Sequence, residues 1–322
     1  MNKSKVFRTT ALSAAVAALV GSIGVANATE PCGDFGECKA LVEINSSDGD
    51  IGFHFLMDGD NLIYGSLFNP DRRKIFVYWP RRELRRQTST ELFQESAEPL
   101  CYDPTTDDDE DNDDEDFVTL AEFTDRWEDG TYYFFGLNSD YEWQRGTSEL
   151  TFNLPAAPIE LDWDVEDDEH EPGELEYEIS WEAGTDLGEC SGELDELVPD
   201  VVADPATVPV AQWEVVLEVD IDEEDIESPE DQAVANSKYV VRIPGDAEEL
   251  EIEVPDDFIE TLPEDTPAKM EIGAIGFDDN ATFSEEDEIC LNDTDPDGTY
   301  DEDEDAVLNG CGFEVEVEDG ED

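Results

Sequence analysis

Four segments of this chain alternate an apolar residue with a carboxylate: Leu175 to Ile179, Leu217 to Ile221, Leu250 to Val254 and Phe313 to Val317. A period of two sends successive side chains to opposite faces of an extended strand, so each segment offers one oily face and one anionic face. Strands of this kind pair antiparallel with one face buried and the other wet. Like charges stacked on a sheet face repel one another, and the arrangement is favoured where salt screens them over a few ångströms. The pattern therefore predicts an all-β protein with an acidic skin, suited to saline surroundings.

Charge sharpens this reading. The 322 residues include 90 Asp or Glu and 16 Lys or Arg, a formal charge of −74. Such a polyanion repels a phosphate backbone, which excludes nucleic acid as a general partner. Hydrophobic residues at 39% and aromatics at 10% are too many for a disordered acidic tail. The acid is unevenly shared. Residues 29–154 carry 30 acidic and 10 basic side chains, and residues 155–322 carry 60 and 3. The change falls at Leu154–Pro158, whose two prolines read as a linker.

Residues 1–28 read as a signal peptide: Lys3, Lys5 and Arg8 precede an apolar stretch from Ala11 to Val25, and Ala26 and Ala28 are the small residues of a cleavage site. The expected destination is the periplasm or the cell exterior, with no membrane span. The six cysteines, Cys32, Cys38, Cys101, Cys190, Cys290 and Cys311, are an even number in an exported chain and point to disulfides. Six cysteines allow fifteen pairings, of which proximity favours 32 with 38, 290 with 311, and 101 with 190. A thiolate metal site is poorly supported without a Cys-x-x-Cys pair.

In the first half, strands are expected at Ala40–Ile44, Ile51–Met57, Leu62–Phe68, Ile75–Trp79, Thr131–Phe135 and Glu149–Asn153, with turns at Asp58–Gly59 and Asn69–Asp71. Thr119 and Glu122 form a capping box that predicts one short helix, with Leu120, Phe123 and Trp127 on its inner side. Asp107–Asp116 holds nine acids and one Asn and reads as a loop.

In the second half, Pro155–Pro158, Ile179 to Glu182, Trp213 to Leu217, and Leu262, Pro263 and Thr266 leading to Met270, Ile272 and Ala274 resemble the A, B, C and F strands of a fibronectin type III domain. The resemblance implies that Trp181 is the core Trp of the second strand, facing Leu262, Met270, Ile272 and Ala274. Ala268 stands where that family places a tyrosine, and Gly184 to Val210 form a long insertion between strands usually joined by a short loop. Together with Asp48 to His54 and Glu95 to Pro99 in the first half, the chain is similar to a group of exported bacterial proteins ending in such a domain, a group that implies fold and export but no activity. The expected fold is all-β: two antiparallel β-sandwich domains in tandem, Ig-like or fibronectin type III-like, at 29–154 and 155–322, with one short helix in the first.

Two constellations carry possible chemistry. Asp293, Asp295, Asp297, Gly298, Asp301 and Glu304 match the spacing of a calcium loop, in which alternate carboxylates turn inward and the glycine permits the bend. Against this, neither flank reads as a helix, and in so acidic a chain the match also describes a solvated loop. Arg72, Arg73, Lys74, Arg81, Arg82, Arg85 and Arg86 are seven of the thirteen cations that follow residue 28. They are either an internal clamp on Asp107–Asp116 or on the second half, or a docking patch for an anionic glycan, lipid head group or other partner, with Tyr78 and Trp79 offering stacking surfaces.

No motif for a catalytic serine, a zinc protease or a phosphate loop occurs, and no catalytic residue is assigned. His170 reads as part of a solvated acidic loop, and His54 as an ordinary strand histidine. Paired-carboxylate glycan hydrolysis is weakly specified, since so many acids guarantee some close pair. The sequence thus reads as an exported, non-catalytic structural or interaction module of a protein or glycan partner. A calcium-dependent binding protein is the alternative, and a glycan hydrolase a distant third.

Overall fold

The computed structural model describes residues 32–102, 117–167, 175–191, 201–221, 226, 228–294, 299–301 and 306–313. Among these the chain is mostly β. One large mixed sheet runs β10-β9-β12-β13-β1-β2-β5-β6, with β3 and β4 also pairing β2, and a smaller sheet runs β11-β8-β7. The first-half strands are β1 (Glu37–Asn45), β2 (Asp50–Phe68), β3 (Lys74–Tyr78), β4 (Ser89–Glu95), β5 (Gly130–Asn138) and β6 (Trp143–Leu150). Those of the second half are β7 (Pro158–Asp167), β8 (Leu175–Ala183), β9 (Val210–Val219), β10 (Lys238–Pro244), β11 (Glu251–Glu253), β12 (Thr266–Gly276) and β13 (Ala281–Leu291), followed by a two-stranded ribbon of β14 (Thr299–Asp301) and β15 (Ala306–Leu308).

The alternation behaves as its period requires. Tyr177, Ile179 and Trp181 of β8 are buried on one side, and Leu217 and Val219 of β9 on another. These residues meet Trp213, Leu262, Ala268, Met270, Ile272 and Ala274 in one core between β11-β8-β7 and the β10-β9-β12-β13 part of the large sheet. Trp181 and Trp213 pack edge to face at 6.0 Å. Phe313 is described, but the rest of its alternating segment lies outside the described residues.

The first half curls on itself. Ala40 donates its N–H to Ser148 Oγ (3.2 Å) and Asp34 to the Arg145 carbonyl (2.8 Å), which brings β6 back beside β1 around Phe35, Val42, Phe55, Tyr132 and Phe134. The predicted helix is present as α2 (Leu120–Arg126), which follows the short α1 (Arg82–Gln87). Thr119 Oγ1 accepts from Glu122 N–H at 3.2 Å, Leu120 and Phe123 are buried, and Trp127 stacks on Phe53 at 4.0 Å.

Several expectations need correction. Asp58–Gly59 is not a turn: β2 continues through it as one 19-residue strand whose partners shift register between Asp58 and Leu62. A side chain at Gly59 would strike the Phe35 ring, so glycine answers packing there. The strand expected at Glu149–Asn153 instead ends at Leu150. A second helix, α1, lies in the basic stretch and strand β4 directly after it, where no periodicity signalled them. The proline-rich segment Leu154–Pro158 is buried, not an exposed linker.

That segment is held by the other half. β1 pairs β13 in parallel, Glu43 to Ala281 through Asn45 to Phe283, so the large sheet passes from one half of the chain to the other. Beside this seam, Thr282 Oγ1 donates to the Pro155 carbonyl and Ser284 Oγ to that of Pro158, both at 2.7 Å. Asn280, 1% exposed, bridges Val42, Thr151 and Asn153. The long insertion between β8 and β9 has a use as well: its Leu187, Cys190 and Val202 join the core of the first half. Disulfides link Cys32 to Cys38, Cys101 to Cys190 and Cys290 to Cys311, the pairs that proximity favours.

Candidate functional site

The outer face of β3-β2-β5-β6 is where aromatic and cationic side chains collect. Register fixes the rows. Gly65 of β2 lies opposite Tyr78 and Gly136, and Leu67 opposite Phe76 and Phe134. Leu67 and Phe134 point into the core, so by alternation Tyr64, Ser66 and Phe68 point outward. Tyr64 is flanked by Trp79 on one side, with ring centres 5.6 Å apart, and by Trp143 on the other at 6.1 Å. Both tryptophans are more than half exposed, at 56% and 57%. Phe68 meets Phe135 edge to face at 5.3 Å, and Ile75 and Val77 of the edge strand are also exposed.

The cations sit at both ends of β3, a five-residue strand spanning about 17 Å. At one end, the turn at Asn69–Asp71 closes with Asn69 Oδ1 accepting from Arg73 N–H at 2.8 Å. It leaves Arg72 in left-handed backbone (φ 65°) with its guanidinium 3.6 Å above the Tyr133 ring. Lys74 Nζ donates to the Tyr64 hydroxyl at 2.9 Å, and Arg73 reaches Asp71 at 3.4 Å. At the other end, Arg81 lies 5.1 Å from the Trp79 ring, and Arg82, Arg85 and Arg86 project from α1, none of whose residues is buried.

Among the described residues, no carboxylate lies within ion-pair distance of Arg81, Arg82, Arg85 or Arg86, and none of the seven cations pairs with the second half. The proposed clamp partner Asp107–Asp116 lies outside the described residues. The basic cluster was legible in the sequence. Its aromatic companions Tyr64, Tyr133 and Trp143 were not, because only strand pairing brings them alongside.

The same sheet carries a second, chemically different face where the halves join. His54 is 4% exposed, with Nε2 3.2 Å from Glu98 Oε1 and Nδ1 3.5 Å from Glu43 Oε2, and Glu95 sits opposite it on β4. Burial opposes charge on His54, but the hydrogen bond to Glu98 and the fields of Glu43, Glu98 and Glu95 outweigh it, so its pKa lies above the ordinary histidine value. His54 thus lies on a strand as expected, with a carboxylate on each side of its ring. Along this face, burial pushes Asp50 up to about 7, with Glu98 and Asp48 adding to the effect.

Burial likewise pushes Glu271 up to about 8, reinforced by Glu285 and Glu43. Folded Glu271 then keeps a proton that the unfolded chain releases near pH 4.5, so stability falls as pH rises from about 5 to 8. Glu271→Gln is expected to raise unfolding free energy at pH 8 by about 1 kcal/mol, after screening, and to leave it unchanged at pH 5. Thermal melts at the two pH values check this. An equal effect at both would show that the carboxyl does not titrate differently on folding.

Of the predicted calcium ligands, Asp293 is buried and accepts from Gly310 N–H at 3.0 Å. Asp265 lies close by, with Oδ1 accepting from Thr294 N–H at 2.9 Å. Asp301 is placed only by its backbone on β14, and Asp295, Asp297 and Glu304 lie outside the described residues, as do His170 and residues 1–28. No helix among the described residues is long and apolar enough to cross a membrane.

No protein-family model matches the chain, and no match to a curated protein is found. Among solved structures it is similar to a tetra-tandem repeat from the extending region of a large adhesion protein (8% identity, TM-score 0.20, 79% of this chain and 49% of that one). It is also similar to Escherichia coli alpha-2-macroglobulin in its native conformation (8%, TM-score 0.22, 87% and 17%) and in its trypsin-activated form (8%, TM-score 0.20, 87% and 18%). The chain thus spans about half the length of the first and under a fifth of the others.

Proposed function

We propose that the chain is an exported, non-catalytic interaction module that holds an acidic polysaccharide against the outer face of β3-β2-β5-β6. The observation that carries this reading is the exposed Trp79-Tyr64-Trp143 row ending in arginines that, among the described residues, no carboxylate pairs, in a protein otherwise densely anionic. Aromatic rings stack on the apolar faces of sugar rings in any salt, while guanidinium groups fork onto carboxylate or sulfate. In brine, charge alone is screened, and the pairing of rings with cations supplies the shorter-ranged attraction. Three disulfides support an oxidising compartment outside the cytoplasm. The order β7-β8-β11 against β10-β9-β12-β13 supports a fibronectin type III-like second half, matching A-B-E against C′-C-F-G.

Titration of the mature chain with a polyuronate and with a neutral glucan in molar NaCl, followed by tryptophan fluorescence, tests the reading. Binding is expected for the polyuronate alone. The Trp79→Ala, Trp143→Ala double variant should weaken it about 30-fold or more, the scale of a binding hot spot, and the Arg82, Arg85, Arg86→Gln triple variant should flatten its salt dependence. Absence of polyuronate binding, equal affinity for the neutral glucan, or an unaffected tryptophan variant would each reject the proposal.

A further inference from the structure

His54, Glu95, Glu98 and Glu43 come together only through pairing. β2 lies between β1 and β4, so Leu41 and Glu95 flank His54, and the chain beyond β4 folds back to bring Glu98 over Gly52. A Cβ at residue 52 would stand 2.6 Å from His54 Nε2 and 2.8 Å from Glu98 Oε1, so the glycine is what lets ring and carboxylate meet. Ligand atoms of His54, Glu95 and Glu98 all lie within 4.8 Å of one another.

The far side of the imidazole is equally specific. Glu43 faces Nδ1, and a carboxylate accepting from the second ring nitrogen is the usual means of fixing the tautomer and orientation of a metal-binding histidine.

We propose that His54 Nε2, with one carboxylate oxygen each from Glu95 and Glu98, binds a single divalent transition-metal ion of the Zn²⁺ type, with Glu43 as the positioning residue. Two ligating carboxylates balance the ion's charge. The imidazole selects against Ca²⁺ and Mg²⁺, which prefer all-oxygen shells. Three protein ligands leave at least one coordination position for water or a ligand atom, on the side where Glu98 is partly exposed. The site is distinct from the sheet face that takes the glycan and does not depend on that reading.

The competing possibility is that His54 only supplies a buried positive charge among acids. To separate the two, the mature chain is stripped with chelator and titrated with Co²⁺ in molar NaCl and excess Mg²⁺, which occupy the general acidic surface. One saturable equivalent with a visible d–d band is expected, displaced by Zn²⁺ and lost in His54→Gln. Glu43→Ala should lower affinity about 10- to 100-fold and alter the band while keeping one equivalent. No band, or a band untouched by His54→Gln, overturns the site. Should that variant fail to fold, Glu95→Gln and Glu98→Gln, at only partly buried carboxylates, decide the matter: an unchanged band in both contradicts the proposal.

Discussion

Replacing Cys101 and Cys190 together by serine is expected to lower the unfolding free energy by about 2–5 kcal/mol. The bridge closes a loop 89 residues long, and cross-links over such spans remove much of the entropy of the unfolded chain. Its placement adds to this. It ties the end of the first-half sheet to the insertion between β8 and β9, whose Leu187 and Val202 are buried in the first-half core. Equilibrium guanidinium unfolding in molar salt reads the effect as a lower midpoint. If the halves unfold as one cooperative body, the transition stays single and its slope unchanged. Two separated transitions would show that the bridge joins bodies that are otherwise independent.

Asn280→Ala is expected to cost a similar amount, about 3–5 kcal/mol, from one side chain. Asn280 Oδ1 accepts from Val42 N–H at 2.9 Å on β1. Its Nδ2 donates to the carbonyls of Thr151 at 3.1 Å and Asn153 at 3.2 Å on the crossing segment. Truncation leaves three backbone groups at the seam without partners, and each buried polar group so abandoned costs about 1–3 kcal/mol. Asn280→Asp should be no better, since it keeps the acceptor for Val42 but loses the donors and buries a charge. Thermal unfolding monitored by near-ultraviolet circular dichroism checks both variants. A change below about 1 kcal/mol would mean that the seam opens to water and is not the joint described.

What could be foreseen follows from the range of each interaction. The alternating strands, the Thr119 cap and the turn at Asn69–Asp71 are set by neighbours within a few residues, so their signals are local. The Trp181 core was legible only through resemblance, but burial of Trp181 with Met270 and Ile272 follows the same alternation. The β1–β13 joint was not legible. It pairs residues some 240 apart in parallel, and its polar rungs Asn280, Thr282 and Ser284 look from sequence like ordinary surface residues. Asn280, which with Thr282 forms an Asn-x-Thr sequence typical of exposed glycosylation loops, is the extreme case. The carboxylates around His54 were hidden for the same reason: Glu43, Glu95 and Glu98 lie on different strands or beyond them, and no spacing rule relates them. The seven cations were visible as a cluster, but the pairing of β2 with β3 and β5 decides which rings they accompany.

Hydrogen–deuterium exchange of the chain from residue 29 onward, with and without a saturating polyuronate in molar NaCl, tests the functional account most directly. Slowed exchange is predicted in β3, α1 and the β5–β6 hairpin, with the second half unchanged. Protection confined to the second half, or none anywhere at saturation, would contradict the assignment of the aromatic and cationic face as the binding surface.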